Sequence, residues 1–122
     1  MDYAGITDWQ PVLSLYAAEG ARAPSAAIAH ASSPIVSVAA WRSPVLVIQT
    51  DNDHNVPFGQ SVQLVEALRT HDVPFQLLVL PDESHDLLLF RSWLTYFHAQ
   101  SDFRDRRLGL SSSPPAAPPT GR

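Results

Sequence analysis

The chain has 122 residues, 45% of them hydrophobic and 16% charged, with a formal net charge of −4, which admits one small soluble domain with a modest core and excludes a multi-domain assembly. It contains no lysine, and its basic cluster of Arg104, Arg106 and Arg107 falls late in a helical stretch, where cations complement the helix dipole, so no nucleic-acid partner is expected. The absence of cysteine excludes disulfides, thiolate metal sites and thiol nucleophiles; no signal peptide and no membrane span is visible, which leaves the cytoplasm as the default location.

Along the chain, Met1 to Pro44 mixes short apolar pieces with Pro11, Pro24, Pro34 and Pro44. Prolines tend to start or stop elements, so this stretch reads as loops with short helices around Gln10–Glu19 and Ser25–Ala31. Val45-Leu46-Val47-Ile48 is a continuous apolar, β-branched run, the pattern of a central parallel strand buried on both faces. From Phe58 to Thr70, Val62, Leu64, Val65 and Leu68 fall at helical spacing with Gln60, Gln63, Glu66 and Arg69 between them, which predicts an amphipathic helix. Val73-Pro74 ends it. Phe75 to Leu80 repeats the strand pattern and Pro81 stops it. Leu88 to Arg107 then predicts a long helix carrying Phe90, Trp93, Leu94 and Phe97, with Leu108 beyond. That stripe, with Trp9 and Trp41, is expected to pack in the core. The Pro- and Ser-rich stretch 110–122 is expected to be a disordered tail, leaving 1–109 as the folded part.

Strand, helix, strand, helix with short connections is a parallel βαβα unit of an α/β fold, and in such sheets chemistry gathers beyond the carboxyl ends of the strands. Two loops leave those ends. The first, Gln49 to Phe58, holds Asp51, Asn52, Asp53 and His54; the second, Pro81 to Asp86, holds Asp82, Glu83 and His85. In an α/β-hydrolase triad the acid precedes the histidine on loops after two late strands, and that order is met here. From the residues alone, either aspartate of the first loop suits an Asx turn, and His85 on its own would be a surface loop histidine. A zinc site from His54, His85 and a carboxylate is conceivable, but its spacing fits no familiar metal signature and no metal is expected.

The runs Ser43-Pro44-Val45-Leu46-Val47-Ile48, Asp53-His54-Asn55-Val56-Pro57-Phe58, Val73-Pro74-Phe75 and Pro81-Asp82-Glu83-Ser84-His85 resemble the catalytic domain of prolyl oligopeptidase-like serine peptidases. The resemblance implies the C-terminal portion of an α/β-hydrolase fold. It implies Asp53 as catalytic acid, His85 as catalytic histidine, Asn55 close to bound substrate, a peptide as substrate and no cofactor. Two departures stand out: Gln49-Thr50 occupies positions where the family commonly has His-Gly, and no G-x-S-x-G nucleophile elbow occurs. Gly59-Gln60-Ser61 lacks the second glycine and follows the acid, so Ser61 reads as a residue early in a helix. The first strands, the elbow and the oxyanion hole are therefore expected in an N-terminal half absent from this sequence, and the 122 residues by themselves are expected to be inactive. A carboxylesterase-like hydrolase on the same fold, or a non-catalytic remnant acting as an interaction module, are the alternatives.

Overall fold

The computed structural model describes residues 1–16 and 22–110. In chain order it contains β1 (Asp2–Tyr3), α1 (Trp9–Tyr16), α2 (Arg22–Ser32), a 3-10 helix (Pro34–Ala40), β2 (Val45–Thr50), α3 (Gly59–Thr70), β3 (Phe75–Leu80) and α4 (Phe90–Leu108). The expected helix over Gln10–Glu19 is seen as far as Tyr16, and its last residues lie outside the described ones, as does the expected tail from residue 111 onward.

The strands form one parallel sheet in the order β1-β2-β3. Successive side chains on a strand point to opposite faces, and β2 uses both. Val45 and Val47 pack with Leu64 and Leu68 of α3, with Val38 of the 3-10 helix and with Val73. Leu46 and Ile48 pack on the other face with Leu80, Leu87 and Phe103 of α4. All six β2 residues are buried, which is why the run carries no polar interruption until Gln49. The expectation of a central parallel strand covered on both sides matches this arrangement, and β3 beside it is only partly covered. β1 was not foreseen. Two residues are too few to show a period, and only the pairing of Asp2 with Val47 and Tyr3 with Ile48, extended by a 2.9 Å bond from Ala4 N–H to Ile48 O, makes them a strand.

Two expectations about helix faces are corrected. On α3, Val62 is exposed while Gln60 and Ser61 are buried. The reason is polar: Gln60 Oε1 accepts from the N–H groups of Thr7 and Asp8 at 3.0 and 2.8 Å, tying the N-terminal segment to α3. On α4, Phe90, Trp93, Leu94, Phe97 and Leu108 are all substantially exposed, and the inward face carries Ser92, the half-buried Tyr96 and, two turns beyond it, Phe103. A three-stranded sheet is too narrow to cover the whole apolar arc of a 19-residue helix. Trp93 instead stacks on Phe97 with ring centroids 5.6 Å apart. Trp9 is exposed too, whereas Trp41 is partly buried against the α3 side of the core. α4 ends at Gly109, whose φ of 69° is the left-handed conformation a helix terminus favours.

Leu68 has no exposed surface and Val62 is largely open. We expect Leu68→Ala to lower stability by about 2–5 kcal/mol and Val62→Ala to change it by no more than about 0.5 kcal/mol, both read from urea midpoints.

Candidate active site

The pairing of β2 with β3 runs from Val45–Phe75 to Thr50–Leu80, so the two strands end side by side. The loops that follow are cross-linked at once. Asp51 N–H donates to Leu80 O at 3.3 Å, Asn52 N–H donates to Glu83 O at 3.2 Å, and Asp82 N–H donates to Asp51 Oδ1 at 2.7 Å. Asp51 is thereby committed to bracing the two loops, and the histidine falls to Asp53.

Asp53 divides its two oxygens between two tasks. Oδ1 accepts from the N–H groups of Asn55 and Val56, each at 2.8 Å, and this closes an Asx turn that aims the side chain. Oδ2 lies 2.9 Å from His85 Nδ1. The turn and the histidine contact, alternatives when read from the sequence, coexist on one carboxylate. An ionised carboxylate can only accept, so the proton between them belongs to Nδ1, which leaves Nε2 as the basic nitrogen. Among the described residues Nε2 makes no hydrogen bond. The Asp53 side chain has no exposed surface, while the His85 side chain is one-third exposed. Burial pushes the Asp53 carboxyl upward, but the Val56 N–H, the His85 ring and the Asn55 N–H outweigh it and hold the group below the usual carboxylate range.

The histidine loop is unusual in its backbone. Asp82 and Leu87 have φ of 58° and 46°, a conformation costing about 1–2 kcal/mol per non-glycine residue, and such residues persist only where their surroundings over-determine them. Three side chains do this. Tyr3 Oη donates to His85 O at 2.6 Å, Trp93 Nε1 donates to Leu87 O at 2.9 Å, and the buried Glu83 carboxylate accepts from Leu88 and Leu89 N–H at 2.7 and 3.1 Å. Burial, followed by the nearby Asp53 charge, raises the Tyr3 phenol and keeps it a donor.

Behind the acid, Gln49 is completely buried. Its Nε2 shares two protons among Thr50 O at 3.2 Å, Asp53 Oδ2 at 3.3 Å and Val56 O at 3.4 Å, and its Oε1 accepts from Ser61 Oγ at 2.8 Å. Ser61 therefore sits early in α3, as expected, with its hydroxyl already engaged. Asn55 is exposed, and the hydrogen bond it makes to the site comes from its backbone. The structure brings together Asp53 and His85, the two residues singled out in the sequence, and adds Tyr3, Gln49 and Glu83 as partners that the sequence reading missed. Of these only Glu83 carried a signal, its presence in the Asp82-Glu83-Ser84-His85 run.

The site therefore pairs a buried acid with a part-exposed histidine at the carboxyl end of a parallel sheet, an arrangement able to accept and return a proton at Nε2. The sequence profile of the prolyl oligopeptidase family matches residues 1–111. The chain belongs to that family. It is similar to dipeptidyl-peptidase 5 of Porphyromonas endodontalis, with 36% identity over 58 residues, covering 48% of this chain and 8% of the relative. Among solved structures it is similar to a puromycin-hydrolysing peptidase of Mycobacterium tuberculosis, with a TM-score of 0.75 and 25% identity over 89% of this chain and 18% of that one. An acylaminoacyl peptidase of Pyrococcus horikoshii shares the fold, with a TM-score of 0.76 at 16% identity over 93% of this chain and 20% of that one. The chain thus spans only about a tenth of the curated relative's length and about a fifth of each solved structure's.

The perturbed carboxyls give a pH signature. Asp53 and Glu83 have folded pKa values below their ordinary ones. Each contributes stability that is present above the unfolded carboxylate range, about pH 4, and is lost as pH falls through the lower folded value. Asp2 acts oppositely: burial raises it against the pull of the N-terminal ammonium, so its contribution is present below the ordinary value and lost as pH rises through the raised one. We expect urea midpoints to fall on acidification below about pH 4, less steeply in Asp53→Asn. Asp2→Asn should remove the opposing contribution.

Proposed function

We propose that residues 1–109 are the C-terminal part of a serine peptidase catalytic domain, supplying the acid and the histidine for peptide-bond hydrolysis. The observation that carries this reading is the 2.9 Å contact between Asp53 Oδ2 and His85 Nδ1 in a chain of the prolyl oligopeptidase family. His85 Nε2 takes the proton of an attacking serine and returns it to the leaving amine, while Asp53 holds the tautomer and stabilises the imidazolium that forms. Asn55 contacts the bound peptide from the rim of the acid loop. No cofactor enters this chemistry.

The 122 residues contain no G-x-S-x-G, and Ser61, committed to Gln49, is no substitute. The serine and its oxyanion donors thus come from sequence outside these residues, and the chain by itself does not hydrolyse substrate. We expect no labelling of the isolated chain by a fluorophosphonate probe; labelling at any serine would overturn its assignment as the acid–base half.

A positive test grafts residues 1–110 in place of the matching segment of the dipeptidyl-peptidase 5 relative and follows hydrolysis of dipeptidyl amides and simple esters. We expect amide hydrolysis that falls about 10⁴-fold in Asp53→Asn and is abolished in His85→Ala. Ester turnover without amide hydrolysis would assign the site to a carboxylesterase. A folded, probe-reactive chimera in which neither substitution matters would remove the reading.

A further inference from the structure

We propose that Glu83 is a positioning residue for His85: its buried carboxylate closes residues 83–89 into a ring and fastens that ring to the first turn of α4. The proposal rests on the reading of Asp53 and His85 as a catalytic pair.

Carboxylates are seldom buried, and Glu83 is 1% exposed with no arginine salt bridge among the described residues. What holds it is the start of a helix. Leu88 N–H donates to Oε2 at 2.7 Å and Leu89 N–H donates to Oε1 at 3.1 Å, so each oxygen takes one of the two amides that lead into α4. The Ser92 side chain, one turn into α4, is a further hydrogen-bond partner and the first cause holding the Glu83 carboxyl below its usual range. A negative group here also meets the favourable end of the helix dipole.

The consequence for His85 comes from connectivity. His85 lies inside the ring that these bonds close, between the left-handed residues Asp82 and Leu87. A loop with two such residues relaxes unless both its ends are held. The Glu83 carbonyl meanwhile accepts from Asn52 N–H at 3.2 Å. One residue thus joins the acid loop through its backbone, α4 through its side chain and the histidine through the chain. Tyr3 Oη adds a clamp on the carbonyl of His85 itself and Trp93 Nε1 one on the carbonyl of Leu87, but neither takes the amides of Leu88 and Leu89. Glu83 spans that part of the loop, and the 2.9 Å separation of His85 Nδ1 from Asp53 depends on it.

The test reads the tautomer of His85 in the whole 122-residue chain, by long-range nitrogen–proton NMR of the imidazole at a pH where the ring is neutral, with His85→Gln assigning the signals. In the wild type we expect the Nδ1–H tautomer, held by Asp53. In Glu83→Ala it should shift to the Nε2–H-rich mixture of a free imidazole while slow amide exchange in Val47 and Ile48 persists. Glu83→Gln, which keeps the volume and one acceptor oxygen, should restore part of the Nδ1–H form and serves alone if the alanine variant does not fold. A helix cap without a positioning role gives a different result: faster exchange at Leu88 and Leu89 with the His85 tautomer unchanged, in either variant. That outcome overturns the proposal and leaves the catalytic pair intact. A wild-type His85 in the Nε2–H form removes the pair, and the proposal with it.

Discussion

Everything at the site follows from the parallel register of β2 on β3. With Thr50 paired to Leu80, the chain leaves both strands at one level, and the two loops meet within a residue of leaving the sheet. The bonds Asp51 N–H to Leu80 O and Asn52 N–H to Glu83 O continue the ladder's spacing into the loops. A slip of one residue would turn Val45 and Val47 from the α3 side to the α4 side and carry Gln49 away from Ser61. The packing of β2 between two apolar clusters, one on each face, also fixes the height at which Asp53 and His85 stand. Core and site are in this sense one constraint, expressed at the middle of β2 and at its end.

Much of this was legible in the residues. Val45–Ile48 could be covered on both faces only in a central strand, and the prolines at 44, 74 and 81 marked where the two long strands begin or end. The choice between Asp51 and Asp53 was not open to residue-level reading, because both are aspartates in an Asx-prone loop. The resemblance favoured Asp53. The geometry gives the physical reason, since Asp51 is consumed by the N–H of Asp82 across the loops. Contacts between residues far apart in sequence stayed out of reach: Tyr3 to His85 spans 82 positions and Thr7 to Gln60 spans 53. Helix periodicity erred for a related reason. It assigns apolar residues to the core by default, yet Gln60 and Ser61 are drawn inward by polar partners, while Trp93 and Phe97 have too little sheet to lie upon.

Buried polarity separates into two kinds here. Asp53 and Glu83 are both carboxylates that take two backbone N–H groups each, one in an Asx turn and the other just before a helix, and side-chain donors, His85 for the first and Ser92 for the second, help to hold each in its ionised form. Among the described residues neither forms an arginine salt bridge, and the Arg91 charge is only the last of the causes acting on Glu83. Backbone donors suit the purpose because they are fixed by secondary structure and do not swing away as a long cationic side chain can. A carboxylate held in this way becomes a rigid acceptor whose direction the fold sets, which orienting an imidazole requires.

Gln49 and Ser61 extend this logic to the end of β2. A glutamine with no exposed surface must satisfy an acceptor and two donor protons locally, and leaving any of them unpaired costs about 1–3 kcal/mol. The donors find Thr50 O, Val56 O and Asp53 Oδ2, all on the acid loop or its strand. The acceptor finds, among the described residues, Ser61 Oγ on α3. Glutamine at 49 is therefore tolerable because a hydroxyl stands at 61, and the two positions amount to one choice. That choice ties the wall of the acid loop to α3, so the aspartate that orients His85 is braced from beneath by the same helix that fills the core.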